Sequence, residues 1–143
     1  MSRLIIHIDG GARGNPGPAA IGVSISSLPP TGGLGEKKYQ ERIGKTTNNV
    51  AEYKAAIFAL KKAKQILGKN KSLTEIEIRS DSELLCKQMN GLYKIKNKEL
   101  QPLFIELWNL KQDFKKVAFI LIKREQNRAA DSLVNRALDT LGL

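Results

Sequence analysis

Four acidic side chains stand where a globular fold has little use for a charge. Asp9 closes a run of strand-forming residues (Leu4, Ile5, Ile6, Ile8) and precedes Gly10-Gly11. Glu52 lies four residues before Ala56, at the edge of an apolar stripe with helical spacing. Asp81 follows an alternating segment in Arg79-Ser80-Asp81-Ser82, and Asp131 falls three residues before Val134 and seven before Leu138, which turns it inward. Taken singly, the first three have ordinary readings. Asp before Gly favours a turn, Glu near a helix start complements the dipole, and Asp between strand and helix is a natural N-cap. Taken together they imply another chemistry. A core-facing carboxylate is costly unless it is paired or bound to metal. Hard cations such as Mg²⁺ bind carboxylate and phosphate oxygens. Two of them, ~3.5–4 Å apart, can activate a water and stabilise a leaving oxygen in phosphodiester cleavage.

The elements that must position these acids follow from periodicity. Residues 3–9 read as a central strand, 10–18 as a glycine- and proline-rich turn, and 20–26 as a second strand around Ile21, Val23 and Ile25. Pro29-Pro30-Thr31-Gly32-Gly33 breaks the chain before a third strand at 38–45. Residues 48–67 repeat Tyr53, Ala56, Ile57, Leu60, Ala63 and Leu67 at helical spacing, with Gly68 as the stop. A strand at 74–80, helices at 81–89 and 99–114, a strand at 117–122 and a helix at 128–141 closed by Gly142 complete the pattern. The order is β-β-β-α-β-α-α-β-α. It predicts an α/β fold: a mixed five-stranded sheet, three strands antiparallel and two parallel, flanked by helices.

The chain has 143 residues, which suits one domain over 1–143. A balance of 24 Lys+Arg against 14 Asp+Glu gives +10, which favours a polyanionic partner such as nucleic acid. No apolar run approaches the ~20 residues of a membrane span, and nothing near Met1 reads as a secretion signal. The expectation is a cytoplasmic monomer with no membrane partner. Cys86 is the sole cysteine, which excludes an intrachain disulfide and a cysteine-based zinc site. It reads as a small buried hydrophobe. His7 reads as a packed strand histidine, and Trp108 as core or core edge.

The surroundings of the four acids resemble the type 1 ribonuclease H (ribonuclease HI) family. The segment from Asp9 through Gly10-Gly11-Ala12-Arg13-Gly14-Asn15 to Pro18 is similar to its first-strand motif. Thr46-Thr47-Asn48-Asn49-Val50-Ala51-Glu52, Ser80-Asp81-Ser82 and the run from Arg124 to Asp131 are similar to the other three, in the same order. The resemblance runs nearly end to end. It implies the ribonuclease H-like fold and endonucleolytic hydrolysis of the RNA strand of RNA·DNA hybrids by two Mg²⁺ ions, with Mn²⁺ a possible substitute, leaving 5′-phosphate and 3′-hydroxyl ends. Asp9, Glu52, Asp81 and Asp131 would be the metal ligands, with water as nucleophile. Gly10, Gly11 and Asn15 would meet the RNA strand near its 2′-hydroxyls, the group that separates RNA from DNA. Asn48 and Asn49 would reach base edges, and Thr47 and Asn97 would hold a phosphate of the DNA strand.

The sequence also departs from the family. The loop before the last acid, Lys123-Arg124-Glu125-Gln126, lacks the histidine that some members carry there. It is similar to a branch with Arg-Glu, so Arg124 is expected at the scissile phosphate and Glu125 in metal or product exchange. The stretch 91–97 is too short for the basic handle of other relatives, which leaves surface lysines such as Lys61, Lys62 and Lys64 as hybrid contacts or as a merely solvated face. Three rivals stand beside it: a non-catalytic nucleic-acid-binding module, a DNA-acting nuclease on the same fold, and a basic interaction protein with no nucleic-acid role, which explains the charge but not the motifs.

Overall fold

The computed structural model describes residues 3–28 and 35–140. The expected break at Pro29–Gly33 and the helix end at Leu141 and Gly142 lie outside the described residues. The strands are β1 (Arg3–Ala12), β2 (Gly17–Leu28), β3 (Lys37–Thr46), β4 (Glu75–Ser80) and β5 (Lys116–Leu121). The α-helices are α1 (Asn48–Leu67), α2 (Glu83–Met89), α3 (Leu100–Lys111) and α4 (Arg128–Asp139). Two 3₁₀ segments, Gly68–Leu73 and Arg124–Gln126, carry no periodic signal and are absent from the sequence reading.

The strands form one mixed sheet in the order β3-β2-β1-β4-β5. β1 pairs antiparallel with β2 and parallel with β4, and β4 pairs parallel with β5. The predicted sheet is therefore present, with β1 at its centre. The parallel ladder matches His7 with Arg79. Carried two residues further, the same register sets Asp9 beside Asp81, just past the carboxyl end of the parallel β1–β4 ladder. Open α/β sheets place ligands at such ends.

Alternation decides the two faces. Leu4, Ile6 and Ile8 of β1 and Ile21, Val23 and Ile25 of β2 join the main core with Tyr53, Ala56, Leu60 and Ala63 of α1. Ala20 of β2 packs on the opposite face with Val134, Ala137 and Leu138 of α4. Two glycines permit these contacts. A Cβ on Gly10 would meet the Ala51 carbonyl carbon at 2.3 Å, and one on Gly22 would meet the Ala130 carbonyl oxygen at 2.4 Å. Bare backbone at these positions lets α1 and α4 lie against the sheet, and α1 carries Glu52 as α4 carries Asp131.

Thr47 caps α1: its Oγ1 accepts from the Val50 N–H at 3.3 Å. Ser82, not Asp81, caps α2, accepting from the Leu85 N–H at 3.2 Å. Asp81 thus has no capping duty. Lys61, Lys62 and Lys64 do not form a free basic face. Lys61 pairs with Glu106 at 3.1 Å and Lys64 with Asp113 at 2.8 Å, tying α1 to α3. Lys62 lies over the rings of Tyr39 and Phe58, 5.3 and 5.4 Å from their centroids. Trp108 lies on the outer side of α3, 44% exposed, stacked on Phe104 at 6.0 Å with Lys111 above it. Cys86 is buried, and burial pushes its thiol up to about 11, as a packed hydrophobe requires.

Candidate active site

The carboxyl end of β1, the first turns of α1, the exit of β4 and the first turn of α4 converge on one open cleft of ≈ 430 Å³. Asp9, Glu52 and Asp81 meet there: one carboxylate oxygen from each lies within 4.8 Å of the others. Asp131 lines the same cleft, and its charge acts on both Asp9 and Asp81. Asp9 and Glu52 are each only 8% exposed. Burial is the main cause of their perturbation. It raises Asp9 to about 7, with the charge of Asp81 adding to it, and holds Glu52 well above the usual carboxylate range, with Asp9 adding to it. Burial also raises Asp81, against the pull of the Arg124 guanidinium. Glu52 Oε2 is buried without a hydrogen-bond partner. Its carboxyl takes part in hydrogen bonds with Asp9 and with the Gly10 backbone.

Several sequence-predicted residues line the cleft with these acids: Gly10, Gly11, Asn48 and Arg124. Gly10 has a packing duty against Ala51, so its bare backbone is accounted for inside the protein. Gly11 leaves ordinary room, the nearest atom to an added Cβ being Val134 Cγ1 at 3.6 Å. Asn48 Oδ1 accepts from the Ala12 N–H at 2.8 Å, and Asn15 Oδ1 accepts from the Asn48 N–H at 2.9 Å. The two asparagines sew the loop after β1 to the start of α1. With each carbonyl oxygen already accepting one bond, the amide N–H pairs are the donors both side chains can still offer a ligand.

Asn15, Thr47, Asn49, Asn97 and Glu125 do not line the cleft. Asn97 lies just before α3: its Oδ1 accepts from the Glu99 N–H at 2.7 Å, and its carbonyl from Leu100 and Gln101. Glu125 is exposed on the 3₁₀ turn beside Arg124. His7 shares a sheet face with Asp9, yet it belongs to a separate depression with Glu77, Arg79 and Ile120. Half-buried there, it has its pKa lowered by burial and by Arg79, which suits a packed neutral imidazole.

Two residues of the site escape sequence reasoning. Asn127 is 1% exposed, and its amide donates to the Ile8 carbonyl at 2.8 Å. It also lies near enough to Asp81 to pull that carboxyl's pKa down, so it stands between β1 and that carboxylate at the start of α4. In the sequence it looks only like a helix cap. Asn135, one helical turn beyond Asp131, donates to Asp131 Oδ2 at 3.4 Å and lines the cleft. The segment between α2 and α3 contains no helix, so no handle stands there, and its Lys94, Lys96 and Lys98 are exposed.

Comparison with known proteins gives a consistent picture. The family described as reverse transcriptase-like matches residues 7–137. A bifunctional protein of Mycobacterium tuberculosis is 36% identical over 137 residues, which is 96% of this chain but 36% of that protein. Ribonuclease HI of Halobacterium salinarum is 36% identical over 137 residues, 96% of this chain and 65% of its own length. The chain thus spans about a third of the first relative and just under two thirds of the second. Among solved structures, LC11-RNase H1 in complex with an RNA/DNA hybrid is 42% identical, with a TM-score of 0.86 over 96% of this chain and 97% of that one.

Proposed function

The chain belongs to the ribonuclease H family, type 1, and from that premise we propose that it hydrolyses the RNA strand of RNA·DNA hybrids from within, leaving 5′-phosphate and 3′-hydroxyl ends. The observation that carries the proposal is the cluster of Asp9, Glu52 and Asp81, whose oxygens approach within 4.8 Å. A buried, unpartnered Glu52 Oε2 and a set of crowded carboxylates fit hard divalent cations and little else. Asp9, Glu52, Asp81 and Asp131 would hold two Mg²⁺, with Mn²⁺ as the substitute. Bound there, the ions supply activation of a water and charge stabilisation at the leaving oxygen.

The chain's own groups do the rest. The Gly10 backbone and Asn127 orient Glu52 and Asp81. Gly10, Gly11 and Asn15 bring backbone and amide groups to the 2′-hydroxyls, and Asn48 and Asn49 present amides to base edges in the minor groove. Thr47 and Asn97 take a phosphate of the DNA strand, away from the acids. Arg124 offsets the negative charge around Asp81 and meets the scissile phosphate region, while the exposed Glu125 assists exchange of metal or product. The unit is one domain, 1–143, acting as a cytoplasmic monomer.

The test is a panel of labelled RNA·DNA hybrid, RNA duplex and DNA duplex, each with Mg²⁺, Mn²⁺ or chelator. RNA cleavage confined to the hybrid and abolished by chelator is the expected result. Cleavage of DNA duplex, or binding without cleavage in either metal, overturns the proposal.

A further inference from the structure

We propose that Arg13 binds a phosphate of the RNA strand close to the scissile bond, and that Asp139 is the positioning residue that aims it. The inference rests on the ribonuclease H reading above. Arg13 follows β1 in the loop that lines the acidic cleft. Its Nη2 lies 2.6 Å from Asp139 Oδ1, at the far end of α4 and 126 positions away in sequence. The two side chains are 47% and 66% exposed, so the pair adds little to stability. Its consequence is geometric. One nitrogen of the guanidinium is held, and the Nη1 and Nε donors have no partner among the described residues. A planar fork with free donors suits a phosphate oxygen.

The root of the side chain is also fixed. The Arg13 N–H donates to the Pro18 carbonyl at 2.8 Å, and the Ala12 N–H before it donates to Asn48 Oδ1. An added Cβ on Gly17 would meet the Arg13 carbonyl oxygen at 2.0 Å, so the loop closes tightly on itself. The other cleft guanidinium, Arg124, acts on Asp81, whereas Arg13 lines the cleft with its ion-pair partner, Asp139, outside that lining. The positive charge of Arg13 is therefore not engaged by the acid cluster and is available at its rim for a polyanion.

Binding of chelator-treated protein to a labelled RNA·DNA hybrid, measured across a KCl series, reads this directly. Loss of one phosphate contact lowers the slope of log K against log salt by about 0.9. Arg13→Ala is expected to lower it by that amount, to weaken binding at low salt roughly tenfold, and to raise KM with little change in kcat. Arg13→Lys keeps the charge and the slope. Arg13→Gln gives the same slope loss while keeping a hydrogen bond to Asp139, should the Ala variant fold poorly. Asp139→Asn leaves the slope intact and raises KM less than Arg13→Ala. An unchanged slope in folded Arg13→Ala and Arg13→Gln overturns the phosphate contact. Unchanged or tighter binding by Asp139→Asn overturns the positioning role. Failure of the unmodified protein to bind or cut hybrid is a different result, and sinks the ribonuclease H reading itself.

Discussion

At Asp9, burial and the charges of Asp81 and Asp131 raise the carboxyl to about 7, against 3.8 in the unfolded chain. The metal-free folded protein therefore holds a proton that the unfolded chain has released at the same pH. Its stabilising effect is fully present below about pH 4 and is lost as pH rises through about 7. Asp9→Asn removes that dependence. Without metal, its Tm at pH 8 should exceed the parent's by on the order of 5 °C, and the gap should close toward pH 4 in a thermal melt. Mg²⁺ should raise the parent's Tm and not the variant's. Arg124 opposes the upward shift of Asp81. Arg124→Ala should consequently move the acid limb of the pH–rate profile to higher pH and lower kcat, with steady-state and single-turnover assays separating chemistry from release. A Glu125→Ala effect confined to steady state would mark product exchange, and unchanged rates in both variants would remove these two residues from the proposal.

At the scale of elements, two close approaches set the spacing of the acids. Gly10→Ala forces a Cβ into the Ala51 backbone, and Gly22→Ala forces one into that of Ala130. Overpacking of this kind costs about 1–3 kcal/mol or more, so both variants should melt lower, and each should lose activity beyond its loss of folded protein as α1 or α4 lifts its carboxylate away. A folded variant with full activity would contradict this account. The extent of α1 was legible because its apolar spacing is long and regular and Gly68 follows it. The caps were less so. Asp81 and Ser82 are adjacent residues of near-equal competence, and only backbone geometry chooses between them. Asn127 was hidden for the same reason: its neighbours Ile8 and Asp81 lie far off in sequence, and a buried tether there looks like a cap.

Over the whole molecule, the element order and the mixed antiparallel-then-parallel sheet were legible from periodicity, and strand ends and helix starts marked the four acids as candidates. The lysines of α1 were not. Nothing local tells that Lys61 and Lys64 find Glu106 and Asp113 on another helix. With those two paired, the +10 charge must act through other groups, among them Lys94, Lys96 and Lys98 beside Asn97. Hybrid binding should weaken steeply between 50 and 200 mM salt, by roughly 10³-fold or more if about six phosphates are contacted, and Lys96→Ala should reduce the slope where Lys61→Ala does not. The most direct measurement is the rate of RNA-strand cleavage in a labelled hybrid as Mg²⁺ is titrated, for the parent and for Asp9→Asn. The parent should cut in proportion to metal occupancy and yield 5′-phosphate ends, while the variant should lose roughly 10³-fold or more, a deficit of about 4 kcal/mol, at every Mg²⁺ concentration. Undiminished cleavage by Asp9→Asn, or cleavage by the parent in excess chelator, would contradict the claim that clustered carboxylates and divalent ions perform the reaction.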